Sequence, residues 1–562
     1  LSIAFTIETY RLVADNHNTK TMLNVKNKRV CFVLRPIFRT FADAMRKVAL
    51  LTALVWVLTL WAQNERQLLD SLEYRMELQT TLASGDHAPL WLTANRYGLS
   101  SLKTANGYVR GAVERPLRLD SLRRWGIGYG LDVAVAAGFT STLVVQQAFA
   151  EARWLKGVLT LGSKEWPMEL KNPLLSSGSQ TFGINARPVP QLRLALPDYW
   201  TVPHTKGWLA VKGHLAYGMP TDDKWQKEFT SRCSKYVEHA LYHSKALYLR
   251  IGSKNITYEG GFEMACQFGG TTYQYYNEHS VKIENELNFS SFIHALIPGG
   301  AETVEDTYRN TEGNNVGSWV ARLNFDYSSW NLGVYADHFF EDHSAMLFLD
   351  YDGYGEGAEW DKRTKSRYLL YGLKDMMLGA ELTLKRFRYL DHVVLEYIYT
   401  KYQSGPVYHD RTPSISDHVG GFDDYYNHYI MSGWQHWGMV MGNPLYRSPL
   451  YNSTGDIYVS NNRFSAIHLG LSGTPFAGLH YRVLGTWQSS LGTYKHPYAK
   501  EREHGSMLLE ATYHFQRSSM RGWSITGAFG ADFGTVLGQN CGWQMTVAKQ
   551  GRFHIKKRRN GK

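Results

Sequence analysis

From residue 72 onward the chain repeatedly alternates apolar and polar side chains with a period of two, the period of a β-strand. In LEYRMELQT, Leu72, Tyr74, Met76 and Leu78 fall on one face and Glu73, Arg75, Glu77 and Gln79 on the other. The same pattern begins at Trp125, Val320, His392, Leu479, Ser506 and Gly542. Many of these runs extend over 9 to 12 residues. A tilted transmembrane strand needs about 9 to 11, whereas soluble strands average about 5 to 6. Tyr and Trp gather near the ends of the runs, where an interfacial girdle would lie. The pattern predicts an all-β, transmembrane antiparallel β-barrel, of 16 to 20 strands by direct count.

The connections alternate in length, as in bacterial outer-membrane barrels, which pair short periplasmic turns with long external loops. Tight turns are read at 327–330, 385–392, 473–479 and 516–523, and long connections at roughly 340–377, 403–461 and 489–505. In this arrangement both chain ends face the periplasm. Closure of the barrel would remove the unpaired edges that make long strands aggregate.

Two stretches interrupt the strand pattern. Residues 167–204 carry repeated Pro and Gly and are expected to lie in the lumen or across a mouth as a constriction. Over 222–245, Trp225, Phe229, Cys233, Val237 and Leu241 recur every four positions behind TDD, predicting a short amphipathic helix.

One window, ALLTALVWVLTLWA at 49–62, is strongly apolar and follows Met45, Arg46 and Lys47. A basic start and a short apolar run describe a secretory signal; a spanning helix needs about 20 apolar residues. The reading is a signal peptide over 45–62, cleaved between Ala62 and Gln63, a barrel over 63–553, and a basic tail over 554–562. Residues 1–44 are read as a mis-assigned upstream extension. Once Cys31 is set aside with that leader, Cys233, Cys266 and Cys541 form no disulfide framework or CxxC metal signature.

Composition changes the picture mainly by exclusion. The chain is 14% aromatic with 36 Tyr and 51 Gly, but only 17 Pro and four Cys, which excludes disordered, collagen-like and disulfide-stapled classes. The net charge of +11 suggests a nucleic-acid partner until its location is considered. Residues 1–62 hold nine Lys and Arg against three acids, and 554–562 hold five against none. The remainder balances, so the body lacks the basic stripe that tracks a phosphate backbone.

Several segments resemble one family, the capsule-assembly outer-membrane barrel proteins of the Wzi type in their Bacteroidetes form. They are HAPLWLTANRYGLSS (87–101), LTLGSKE (159–165), LLSSGSQTFGINARPVPQLRLALPDY (174–199), KGWLAVKGHLAYGMPTDDKW (206–225), YHSKALYLRIGSKN (242–255), GGFEMACQFGG (260–270), DYYNHYIMSGWQHWGMVMGNPL (424–445) and NNRFSAIHLGL (461–471). The resemblance implies a monomeric barrel of about 18 strands with helical elements at one mouth. It also implies a lectin that holds capsular polysaccharide on the cell surface, with lipid and the barrel-assembly machinery as its other partners and with no cofactor. The extension beyond Phe553 and the first 44 residues depart from that family.

The 403–461 connection concentrates the candidate chemistry: Asp423, Asp424, Tyr425, Tyr426, His428, Trp434, His436 and Trp437. Aromatic faces stack on the apolar side of a sugar, and fixed carboxylates and imidazoles bond its hydroxyls. Girdle or packing roles for the same rings are the alternative. Asp350, Asp352, Glu356 and Glu359 resemble a calcium loop without the spacing of an EF-hand. No HExxH, GxSxG or GxxxxGK motif is present. The resulting expectation is a non-catalytic, polysaccharide-binding outer-membrane barrel, with a solute channel or a membrane enzyme as rivals.

Overall fold

The computed structural model describes residues 72–553 apart from 121, 277–278, 286, 298–312, 342–374, 404–406, 409–418 and 421–422. The leader, the signal segment with its Ala62–Gln63 junction, the 350–361 acidic loop and the 554–562 tail lie outside the described residues.

Eighteen antiparallel strands form one closed sheet. They are β1 (Glu73–Ser84), β2 (Ala105–Arg115), β3 (Trp125–Ala137), β4 (Leu143–Trp154), β5 (Gly157–Ser163), β6 (Gln191–Thr201), β7 (Leu209–Gly218), β8 (Leu241–Ser253) and β9 (Ile256–Phe268). There follow β10 (Asn314–Asp326), β11 (Trp330–Glu341), β12 (Met376–Leu384), β13 (His392–Tyr399), β14 (Arg463–Phe476), β15 (Leu479–Gly492), β16 (Pro497–His514), β17 (Trp523–Gly534) and β18 (Asn540–Arg552). Each strand pairs with its sequence neighbours, and β1 meets β18 in unbroken register from Glu73↔Arg552 to Ser84↔Cys541. Both barrel ends therefore lie on one rim.

The orientation of the alternation explains why this sheet closes. Along β1 the side chains of Met76, Leu78 and Leu82 are 61%, 50% and 69% exposed, while Glu77, Gln79 and Thr81 are 5%, 5% and 1%. The outward face is apolar and the polar residues point into the lumen, the inverse of a water-soluble protein. Leu159 and Leu161 on β5, Leu192 and Leu194 on β6, and Ile467 and Leu469 on β14 continue the outer band. Leaving this much apolar surface in water is costly, and lipid removes the cost. Trp125 and Trp154, with ring centroids 6.1 Å apart, join exposed Trp208, Phe387 and Tyr389 as an aromatic girdle near one rim. No described helix is long and apolar enough to cross a membrane.

The two rims differ as the sequence pattern predicts. One bears short turns such as 155–156, 254–255, 327–329 and 477–478; the other carries the long connections, including 164–190, 219–240 and 400–462. The β14–β15 turn needs its glycine. Gly478 has φ +89°, and a Cβ there would stand 2.6 Å from the His514 carbonyl oxygen.

Three expectations are corrected. The helix expected over 222–245 covers only α2, Asp223–Phe229. Val237 belongs to a three-stranded sheet, Tyr236–Glu238 with Thr271–Tyr276 and His279–Glu284, and Leu241 opens β8. The every-fourth-residue pattern had joined a helix to the strands after it. The 167–204 constriction is irregular only to Pro190, because 191–201 is barrel strand β6. The 489–505 connection is mostly hairpin, since β15 and β16 extend past the rim and leave only 493–496 between them. Two further short helices are α1, Leu90–Thr93, on the long-loop side, and α3, Phe289–Leu296, whose Asn288 forms a capping box with Ser291.

Candidate functional site: the luminal plug and its outer mouth

The largest apolar cluster lies inside the barrel. It joins Trp91 and Leu92 of α1, Leu175 and Val189 of 164–190, and Tyr425, Tyr426, Trp434 and Tyr446 of the 423–462 segment to wall residues Tyr335, Phe339, Ile398 and Phe464. Three long-rim connections thus fold inward and pack together inside the barrel. An apolar cluster within a ring of polar wall residues can form only if the wall's polar groups find partners on the plug.

They do, strand by strand. Lys171 Nζ sits 2.7 Å from Asp337 Oδ2 on β11, and the Gln180 amide donates to the same oxygen. Glu396 on β13 accepts from Ser176 Oγ (2.5 Å) and the Ser177 amide (2.8 Å), and also from wall Tyr335. Asn172 donates to Glu381 on β12. On β15, Arg482 donates to the Leu174 carbonyl, and the Trp91 indole N–H reaches Thr486. Arg96 pairs with Glu510 on β16, and the Leu90 amide donates to Asp532 on β17. These five wall carboxylates, Asp337, Glu381, Glu396, Glu510 and Asp532, anchor backbone and side chains of the plug.

The sequence-selected glycan residues lie within and above this plug, in unequal positions. Tyr426, Trp434 and His436 are 0%, 1% and 1% exposed, and Tyr425 is 2%. The Trp434 indole N–H donates to the Thr181 carbonyl at 3.0 Å, and the ring stacks on Tyr242. The Tyr426 hydroxyl bonds the Gln180 carbonyl, and that of Tyr425 reaches Asp375. These rings are covered by the protein itself, so the expectation that they offer a stacking surface is corrected to a packing role. Sequence alone could not tell a ring turned into the lumen from one turned outward.

Asp423, His428 and Trp437 keep partial exposure. His428 Nδ1 accepts from the Ile430 and Met431 amides, closing a local turn. Burial, then Lys235 and Lys495, push its pKa down to about 3. His436 Nε2 accepts from the Thr221 amide, so Nδ1 carries the proton and donates to the Arg187 carbonyl. Burial lowers its pKa as well. Trp437 donates from its backbone amide to buried Asp222 and from its indole to Thr221, and its ring lies 4.5 Å from the Arg187 guanidinium carbon. It is anchored at its polar atoms and remains accessible at its ring.

Sequence reasoning passed over the small sheet above the plug. There Tyr236 stacks on Tyr273 at 4.8 Å, with Tyr275 6.2 Å away. The alternation in TTYQYY placing Tyr273 and Tyr275 on one face was the available signal. Trp225, Phe229 and Trp437 belong to the same cluster. Among the described residues no group of three or more His, Cys, Asp or Glu side chains is placed to hold a metal ion.

No family model matches this chain, and no curated protein matches it in sequence. Its fold is that of Wzi from Escherichia coli, described as an outer-membrane, carbohydrate-binding β-barrel involved in group 1 capsule assembly. The two share 10% identity over 88% of this chain and 87% of that one, with a TM-score of 0.52. OccAB4 of Acinetobacter baumannii (8% identity, 86% and 98% covered, TM-score 0.42) and OprD of Pseudomonas aeruginosa (11%, 86% and 96%, 0.40) also align. The common ground is the closed antiparallel barrel.

Proposed function

We propose that the chain is an integral outer-membrane protein that binds surface polysaccharide and helps hold a capsule at the cell surface, without catalysis. The observation that carries this reading is the plug. Three connections fold into the lumen and each is bonded to the wall, which favours a rigid support for the mouth over an open pore. Above it stand groups suited to a saccharide: the Trp437 ring, the Tyr273–Tyr275 face, and the half-buried Asp423 and His428. The fold shared with a carbohydrate-binding barrel agrees with this reading. Export by a leader, insertion by the barrel-assembly machinery and action as a monomer belong to the same proposal.

Retention would come from many weak contacts along a repeating polymer, because linked binding events raise effective concentration. Asp337, Glu381, Glu396, Glu510 and Asp532 hold the plug to the wall, a structural use that favours binding over turnover. The test is binding of detergent-purified protein to capsular polysaccharide from its own cells and to an unrelated polymer, with planar-bilayer conductance measured in parallel. Selective saturable binding with low conductance is the expected result. Conductance without binding would make the protein a channel.

A further inference from the structure

Between the plug and the β6–β8 wall lies a cavity of about 130 Å³. A buried water needs roughly 10–15 Å³ of such space, so the cavity takes on the order of ten waters, near the heavy-atom count of one hexose. Its lining includes Lys164, Trp166, Glu169, Arg193, His214 and Ser244, and exposed Pro167 stands at its edge. The charges here do not balance locally. Lys164 is paired with Glu151, and Lys212 with Glu169. Two arginines that also line the cavity have no carboxylate partner. Arg193 lies over Trp166, its guanidinium carbon 4.0 Å from the ring centroid, and its buried Nε has no hydrogen-bond partner. Arg187 reaches only the hydroxyls of Thr140 and Ser141 and stacks on Trp437, and its Nε is likewise unpartnered.

A guanidinium does not deprotonate in a protein, and burying one without a counter-ion is costly. The buried Trp166 indole N–H is also unpartnered. These are donors without acceptors, gathered on one cavity. The acceptors Glu169, His214 and Ser244 line the same cavity.

We infer that this cavity is a binding subsite for one acidic sugar residue, with a carboxylate taken by Arg193 and hydroxyls shared between Trp166 Nε1 and the acceptors. The carboxylate supplies the missing counter-charge in the planar geometry that an arginine fork matches. The inference rests on the polysaccharide-binding reading and names the class of sugar that reading would favour, a uronic-acid-containing polymer.

The test is calorimetric titration of the folded, detergent-purified full chain with D-glucuronate, D-glucose and inorganic phosphate, alongside capsular polymer. Saturable glucuronate binding at least ten-fold tighter than glucose is expected. R193Q should weaken glucuronate at least ten-fold and leave glucose unchanged, while R193K retains part of the affinity. Equal binding of glucose and glucuronate, phosphate binding as tight as glucuronate, or no glucuronate binding would each overturn the inference on wild-type protein alone, whether or not R193Q folds. Undiminished glucuronate binding by folded R193Q would overturn it too. Polymer bound equally by wild type and R193Q would sink this subsite and spare the surface reading. If no polymer binds at all, the surface reading fails, and the glucuronate titration still decides the subsite.

Discussion

Lys171 and Asp337 form an ion pair at 2.7 Å with side chains 1% and 0% exposed, one residue on the plug and the other on the barrel wall. Isolating either charge leaves it buried without its partner, a loss of about 3–5 kcal/mol, whereas replacing both with apolar groups removes most of that penalty. Lys171→Met should therefore loosen the plug, and the Lys171→Met/Asp337→Leu double variant should recover much of the loss. Bilayer conductance and protease cleavage within 164–190 read this directly. Equal effects from the single and double variants would mean that the pair does not hold the plug.

Glu396 provides a second latch of a different kind. Its carboxylate accepts from two neighbouring plug residues, Ser176 and Ser177, and from Tyr335 across the wall. Glu396→Gln keeps the size but turns an amide N–H₂ toward donors, so at least one bond to a charged acceptor is lost. The cost is about 1.5–3 kcal/mol. The expected signature is a lower urea midpoint for release of 174–180, followed by hydrogen exchange, with the barrel strands unchanged.

The barrel was readable because its determinants are local. A period of two over Leu72–Leu78 sets which side chains face lipid, and turn composition sets which connections are short. The plug was not, because its determinants are distant: Leu174 meets Arg482 across 308 positions, and Trp434 meets Thr181 across 253. The aromatic richness of 424–437 was visible, but covered and accessible rings look alike in sequence. Trp434 and Trp437 are three residues apart and have opposite fates. The helix misreading has the same origin, since Val237 and Leu241 fit a helical spacing while their strand partners Thr272 and Phe268 lie further along the chain.

Acidification should loosen the outer mouth. His428 is held at about 3 and His436 below its ordinary value, so both are neutral in the folded plug. A released segment would take up protons near pH 6.5. Their contribution to stability is thus fully present above that pH and declines as the pH falls toward their folded values. Lys235, pushed down to about 7 by burial, acts in the same direction at higher pH. Protease cleavage within 423–437 should rise between pH 7.5 and 4.5. His428→Asn, which keeps a side-chain acceptor for the two amides, should reduce that rise. An identical pH profile in the variant would show that His428 is not one of the sensors.

Trp434 and Trp437 should separate stability from binding. Trp434→Ala empties a fully covered position and removes the bond to Thr181, so it should cost about 3–5 kcal/mol and expose the plug to protease. Any polysaccharide lost with it would be lost with the fold of the mouth. Trp437→Ala removes an accessible ring whose backbone amide still bonds Asp222, so the plug should stay closed. If that ring is a sugar platform, the variant should bind polymer several-fold less tightly at unchanged urea midpoint and conductance. The Arg187 guanidinium stacked on it would then face solvent, and Trp437→Tyr, which restores a flat face, should recover part of the affinity. Unchanged polymer binding by Trp437→Ala would move the contact to the neighbouring Tyr273–Tyr275 face.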